Sequence, residues 1–188
     1  DGRYRYIERV KSSFPNQMRL DGLKVVIDCA NGAGYRAAPE VLWELGAEVV
    51  PVGVSPDGRN INLECGSTSP RIAAETVVAH GADVAICLDG DADRVLVIDE
   101  QGCPIDGDHF LGMIGSRWQK ENILVEKTLV ATVMSNMHLE TFLNREGIKL
   151  VRTAVGDRYV VEQMRLDGFN LGGERSGHVV MTDYSTTG

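Results

Sequence analysis

The spacing of apolar and polar positions changes repeatedly along the chain, and each change predicts an element. Within residues 4–14, Tyr6, Ile7, Val10 and Phe14 recur at near-helical spacing, which predicts an amphipathic helix packed on something. The apolar run 24–28 predicts a strand, and residues 29–34 a loop. Ala38, Val41, Leu42 and Leu45 then predict a helix, with Pro39 in its first turn and Gly46 as its stop. Residues 47–52 predict a second strand. The stretch 53–70, rich in Gly, Ser, Asn and Pro, predicts a long loop, and such loops inside compact domains are usually functional or mobile. A helix over 71–80 and strands over 83–88 and 94–98 complete an alternating β and α half.

Residues 100–104 form a turn cluster, the best candidate for a domain boundary. Beyond it the alternation resumes. A helix over 108–119 places Phe110, Leu111, Ile114 and Trp118 on one face. Strands are predicted over 128–133 and 149–152, helices over 139–145 and 157–165, and short strands over 169–171 and 178–181 around a loop. The fold class expected is α/β: two consecutive three-layer α/β/α domains with mixed, mostly parallel sheets. Their expected limits are residues 1–103, with a connecting helix and linker over 1–20, and residues 104–188. No internal sequence repeat relates the two.

Composition narrows the function classes. With 188 residues, 43% of them hydrophobic, the chain can bury a core and does not resemble a disordered protein. Acids outnumber bases 27 to 19, so electrostatically driven binding to nucleic acid is not expected. No apolar stretch is long enough for a membrane span, and the polar first residues do not read as a signal peptide. Cys29, Cys65, Cys87 and Cys103 lack paired spacing, which argues against a zinc cluster. Cys29 and Cys87 sit at or inside apolar runs, as reduced thiols do, and a cytoplasmic enzyme fits best.

The most informative segment is Leu88-Asp89-Gly90-Asp91-Ala92-Asp93-Arg94. Three aspartates alternate directly after an apolar strand, and in an extended loop that spacing turns three carboxylates toward one point. Their mutual repulsion is relieved by a divalent cation, and hard oxygen ligands favour magnesium, manganese or calcium over zinc. Arg94 can offset charge or contact a phosphate. A solvated turn is the plain alternative, but acids between two apolar strands at the carboxyl end of a sheet lie where α/β ligands bind. A calcium EF-hand fits Asp89, Asp91, Asp93 and Glu100 but would need glycine where Arg94 stands, and helical flanks. A phosphatase of the haloacid dehalogenase type, with an aspartate nucleophile, expects Thr or Val at Asp93.

A second loop, Gly172-Gly173-Glu174-Arg175-Ser176-Gly177-His178, gathers a carboxylate, a hydroxyl and an imidazole between glycines. In an extended segment Glu174, Ser176 and His178 alternate to one side and can hydrogen-bond sugar hydroxyls. A glycine-rich surface turn is the plain alternative.

Together the two loops resemble the α-D-phosphohexomutase superfamily. Its metal loop reads Asp-Gly-Asp-x-Asp-Arg, as do Asp89 to Arg94, and its sugar loop reads Gly-Glu-x-Ser-Gly-His, as do Gly173 to His178. Residues 28–33 resemble the corresponding loop of that superfamily's second domain, and residues 60–62, 65–68, 133–136 and 153–160 resemble the phosphoglucosamine mutases. Ser69 departs from a common His, and Arg175 from a frequent Gln. The resemblance covers essentially the whole chain.

It implies interconversion of glucosamine 6-phosphate and glucosamine 1-phosphate, a step of cell-wall amino-sugar synthesis, through a phosphoserine enzyme and a bisphosphorylated intermediate. It implies Mg2+ as cofactor, held by Asp89, Asp91 and Asp93, with Arg94 at the phosphoryl group. Glu174 and Ser176 would bind sugar hydroxyls. His178 would bind substrate or carry a proton, and Arg158 would contribute to substrate binding at a helix N-terminus. A phosphomannomutase or phosphoglucomutase of the same superfamily, or a magnesium-dependent sugar phosphatase, are the alternatives.

The superfamily has four domains. Neither its phosphoserine loop, Thr-Ala-Ser-His-Asn-Pro, nor its last phosphate-binding loop, Arg-x-Ser-Gly-Thr, occurs here. Ser12, Ser13, Ser55 and Ser67 lack that context, so no nucleophile is assigned. The expectation is a fragment covering the two central domains, incomplete at its C-terminus and inactive alone. The expected partners are a phosphosugar, the first and fourth domains of the same chain and a possible second copy, with no nucleic acid and no membrane. The loop over 60–68 is expected either to contact another domain or to be structural.

Overall fold

The computed structural model describes residues 2–15 and 17–185. The chain divides into two compact units, Asp1–Pro104 and Ile105–Gly188. Each is a sheet with helices on both faces.

The first unit runs α1 (Gly2–Ser12), β1 (Lys24–Asp28), α2 (Ala37–Glu44), β2 (Glu48–Val52), α3 (Arg71–His80), β3 (Val84–Leu88), β4 (Val95–Ile98) and β5 (Pro104–Ile105), the last reaching one residue into the second. The sheet order is β2-β1-β3-β4-β5. β1 lies parallel to β2 and β3, and β4 is antiparallel to β3. The alternation of side chains explains the layers. Val26, Ala85, Cys87 and Ile98 pack with Ala73 and Val77 of α3 on one face. Ile27, Ile86 and Leu88 face the other way, onto a cleft shared with Tyr6 and Val10 of α1 and Val41 and Leu42 of α2. β2 and β3 therefore leave β1 on opposite sides. This makes the carboxyl ends of β1 and β3 a topological switch point, where α/β sheets bind ligands.

The second unit runs α4 (Gly107–Lys120), β6 (Thr128–Thr132), α5 (Met137–Arg145), β7 (Lys149–Thr153), α6 (Asp157–Asp167), β8 (Leu171–Gly173) and β9 (Val179–Met181). The order is β7-β6-β8-β9, parallel except for β9. Leu129 and Ala131 pack against Leu111 and Trp118 of α4 and Leu139 and Leu143 of α5. Val130, between them in sequence, packs with Val160 and Met164 of α6 on the opposite face. Here the switch point falls between β6 and β8.

Three details differ from the sequence reading. The turn cluster at 100–104 ends in the two-residue edge strand β5. The strand expected over 169–171 is displaced to Leu171–Gly173. Gly168 ends α6 in a left-handed conformation, and Phe169 and Asn170 go into hydrogen bonds with Met164 and with Ile123, Val125 and Asp183 instead of a ladder. Gly172 serves close packing rather than turning, since a Cβ there would lie 2.9 Å from the Val130 carbonyl oxygen and 2.6 Å from Met164 Sδ. One-turn 3-10 segments at Ala33–Tyr35 and Val125–Lys127 carried no sequence signal that was read. Among the described residues no helix is long and apolar enough to cross a membrane.

Candidate functional site

In the first unit the acidic loop leaves the end of β3. It is a turn, not the extended segment that the alternation suggested. The Ala92 amide donates to the Asp89 carbonyl at 3.1 Å, and Ala92 takes a left-handed φ of 62°. Asp89 is 7% exposed, and its Oδ1 accepts the Asp93 and Arg94 amides, both at 3.1 Å. Asp91 is exposed and Asp93 half-buried. The turn still converges the carboxylates: one oxygen from each of Asp89, Asp91 and Asp93 lies within 4.8 Å of the others. A span of that size and an oxygen-only donor set suit a hard divalent cation, whose ligands sit at about 2.0–2.6 Å. Arg94 is exposed with Nε 3.9 Å from Asp93 Oδ1. Strands flank the loop on both sides, which disposes of the EF-hand.

Neighbouring loops hold this turn by its backbone. The Ser67 amide donates to the Leu88 carbonyl at 2.9 Å and the Ala33 amide to the Gly90 carbonyl at 2.8 Å. The segment 60–68, whose role the sequence left open, thus packs on the acidic loop of its own unit. The approach at Gly32 is close enough to require glycine, since a Cβ would come to 2.2 Å from Gly90 O.

In the second unit Glu174 to Gly177 also form a turn. The Gly177 amide donates to the Glu174 carbonyl at 3.0 Å, with Gly177 at φ 96°, and the Glu174 amide donates to the His178 carbonyl at 2.8 Å. The extended alternation expected for this segment is replaced by a hairpin tip. Ser176 and Arg175 are exposed on it, Glu174 is half-buried and His178 is 5% exposed. Arg175 Nε reaches Asp106 Oδ2 at 3.2 Å, which ties the tip to the cap of α4.

The structure brings Arg158 and His178 to one cleft of about 530 Å3, with Asp157, Val161 and Arg165. Arg158 is exposed in the first turn of α6. His178 Nε2 stands 4.0 Å from Asp157 Oδ2. Three supporting residues carry no role in the sequence reading, although two of them, Asp28 and Gly156, lie in its family-like stretches. Gly156 donates its amide to Glu174 Oε1 at 3.0 Å. Asp108 Oδ2 accepts the Asn136 amide at 2.7 Å and so fixes the loop after β6. Asp28 is fully buried beneath the loops around the acidic turn. A lone acid ending an apolar strand was the available signal for the last.

Comparisons agree with this division. The family model for phosphoglucomutase/phosphomannomutase alpha/beta/alpha domain II matches residues 4–102, and that for domain III matches residues 106–188. Over all 188 residues the chain is 70% identical to a phosphoglucosamine mutase of Roseobacter denitrificans and 71% to one of a Ruegeria species. It spans 42% of the length of these curated relatives. A crystal structure of a phosphoglucomutase/phosphomannomutase family protein from Burkholderia thailandensis superposes with a TM-score of 0.86 at 25% identity, covering 100% of this chain and 40% of that one. An Aspergillus fumigatus N-acetylphosphoglucosamine mutase, solved with GlcNAc-6P and magnesium, gives 0.65 at 22%, covering 92% of this chain and 38% of that one.

Proposed function

Since this chain belongs to the phosphoglucomutase/phosphomannomutase family, we propose that it supplies the metal-holding and sugar-binding domains of a phosphoglucosamine mutase. The reaction is interconversion of glucosamine 6-phosphate and glucosamine 1-phosphate by way of a phosphoserine and a bisphosphorylated intermediate. The observation that carries this reading is the identity of about 70% to phosphoglucosamine mutases along the whole chain, with both motif loops at sheet switch points.

Asp89, Asp91 and Asp93 hold Mg2+, the acid Asp89 being fixed by two amides and the other two completing an all-oxygen set. When bound, that ion stabilises negative charge on a transferring phosphoryl group. Arg94, beside the triad, contacts phosphoryl oxygens with a guanidinium suited to bidentate binding. Glu174 and Ser176 accept from and donate to sugar hydroxyls, which leaves either end of the sugar free to react. His178 holds the substrate or carries a proton from its position facing Asp157. Arg158 binds the distal phosphate at the start of α6, where helix amides also favour anions. A soluble cytoplasmic enzyme fits this chemistry.

The test is a coupled assay with bisphosphate activator. A protein of the relatives' full length converts glucosamine 6-phosphate, and Asp91→Asn lowers its kcat at least 100-fold. The 188-residue chain alone gives no turnover. Turnover by the chain alone that depends on Asp91 overturns the division of labour. Release of inorganic phosphate abolished by Asp89→Asn points to a phosphatase instead.

A further inference from the structure

Asp28 is the last residue of β1 and is fully buried. Among the described residues no salt bridge engages it, although burying an unpaired carboxylate is costly. What holds it is backbone. Oδ1 accepts the Ala30 amide at 2.9 Å and Oδ2 accepts the Gly66 amide at 2.7 Å. These two amides belong to different loops, 38 residues apart for the second.

Each loop passes the constraint on to the acidic turn. Next to Gly66, the Ser67 amide binds the Leu88 carbonyl, immediately before Asp89. Three residues beyond Ala30, the Ala33 amide binds the Gly90 carbonyl, immediately after Asp89. The Ala30 carbonyl accepts the Asn62 amide at 2.9 Å, which closes the two loops on each other. There is little slack. Ala30 and Asn31 both hold left-handed φ angles, 53° and 50°, which cost an alanine energy. Gly66 is left-handed at 77°, and a Cβ there would lie 2.6 Å from Leu88 O and 2.5 Å from Ala30 Cβ.

We infer that Asp28 is the positioning residue of the acidic turn: through Ala30 and Gly66 its carboxylate fixes the carbonyls on either side of Asp89, and so sets the affinity of the aspartate triad for a divalent cation. The inference rests on the metal-binding reading of that triad. Asp28 lies outside the aspartate triad and has no exposed surface. It acts as the outer support of a metal site acts, and loss of such support typically weakens metal affinity by about 10–100-fold.

The test uses Mn2+ as probe, with affinity read by electron paramagnetic resonance and amide hydrogen exchange on the same protein. Asp28→Asn is nearly isosteric but turns one acceptor into a donor that faces an amide. It is expected to weaken Mn2+ binding about 10–100-fold. Amides of Ala33 and Ser67 lose protection while those of β1 and β3 keep it. Unchanged Mn2+ affinity overturns the inference. Loss of protection across the whole sheet shows a core role and moves the decision to Asn31→Ala, which leaves Asp28 in place. That variant removes side-chain bonds to the Ser55 amide and the Asn60 carbonyl, so it loosens the same brace from outside the core. Wild-type Mn2+ affinity in Asn31→Ala then overturns the inference. Asp91→Asn separates the two readings. If it binds Mn2+ as the wild type does, the metal reading fails, and exchange at Ala33 and Ser67 still judges the brace.

Discussion

Glu174 Oε1 accepts the amide of Gly156 at 3.0 Å, so the hairpin tip after β8 is fastened to the entry of α6. Gly156 has no side chain with which to cap the helix, and it sits at φ 128°. A carboxylate from the hairpin tip meets the positive end of the helix in its place. Glu174→Gln keeps an acceptor oxygen and is expected to retain stability, whereas Glu174→Ala costs the second unit about 1 kcal/mol, the usual loss for a missing cap. On the proposed sugar-binding role, both variants are expected to weaken sugar phosphate binding in a protein of full family length. Thermal denaturation and calorimetric titration separate the two effects. Equal stability loss for Gln and Ala would refute the capping role.

On the proposed reading of the aspartate triad, the stability of the first unit is expected to depend on divalent cation. Three carboxylates within 4.8 Å of one another repel when no ion lies between them. Addition of Mg2+ at ten times its Kd stabilises the first unit by about 1.4 kcal/mol. By calorimetry that is a rise of about 6–11 °C for a domain of this size. Asp91→Asn raises the cation-free melting temperature slightly and removes the Mg2+ increment. An increment that survives in Asp91→Asn would place the ion elsewhere.

Two glycine substitutions distinguish contact from conformation. At Gly32 a Cβ meets backbone, Gly90 O at 2.2 Å, which cannot rotate away. At Gly58 a Cβ meets open space, but φ is 87°. Gly58→Ala is expected to cost about 1 kcal/mol from backbone strain. Gly32→Ala should cost more than about 2 kcal/mol and displace the acidic loop. Urea unfolding monitored on the first unit orders the two variants, and the reverse order would contradict the close approach.

The cap of α4 carries a pH signature. Asp106 Oδ1 accepts the His109 amide at 3.1 Å and the ring Nδ1 at 2.7 Å, and Oδ2 accepts Arg175. Burial pushes this carboxyl up, but the His109 hydrogen bonds and the charges of His109 and Arg175 outweigh it and hold it below the usual range. A depressed carboxylate stabilises the fold above its unfolded pKa of about 3.9, and that contribution is lost as pH falls through the folded value. Asp106→Ala is expected to cost about 1 kcal/mol at neutral pH and to flatten the acid limb of the stability profile. An unchanged acid limb would assign the cap no electrostatic part.

Much of the architecture is legible in the periods of the chain because core and surface alternate cleanly. Val26 and Ile27 point to opposite helix layers, and so do Val130 and Ala131. Both motif loops are legible because their chemistry lies in contiguous residues. Their shapes are not. Alternating acids suggest an extended strand, while the left-handed Ala92 makes a turn that converges them by another route. Gly172 looks like a turn residue, but what it satisfies is the space left by Val130 and Met164, which only the packed sheet defines. Asp28 and Gly156 stayed hidden for the same reason. Besides the nearby Ala30, Asp28 meets Gly66, 38 residues away, and Gly156 meets Glu174, 18 away, distances beyond the reach of any local pattern.

The buried thiols set the last expectation. Cys29 and Cys87 have no exposed surface, and burial, with the nearby charge of Asp28 adding to it, pushes both up to about 12. Cys65 is raised as well, by burial and then Asp28, and Cys103 is exposed. The thiolate is the reactive form, so at pH 8 an alkylating reagent should modify Cys103 in the native protein and all four thiols only after unfolding. In the unfolded chain each thiol ionises near its ordinary value of about 8.5, while in the folded protein Cys29 and Cys87 keep their protons to higher pH. Between those values the folded state binds more protons, so stability falls as pH rises, by up to about 1.4 kcal/mol per pH unit for each thiol. The stabilisation is whole below about pH 8 and disappears as pH climbs through the folded pKa. Cys87→Ala should shallow this alkaline slope by the share of one group, measured as the urea midpoint from pH 8 to 10. Mass spectrometry of the alkylated native protein gives the independent check, and labelling of Cys29 or Cys87 before unfolding would contradict their burial.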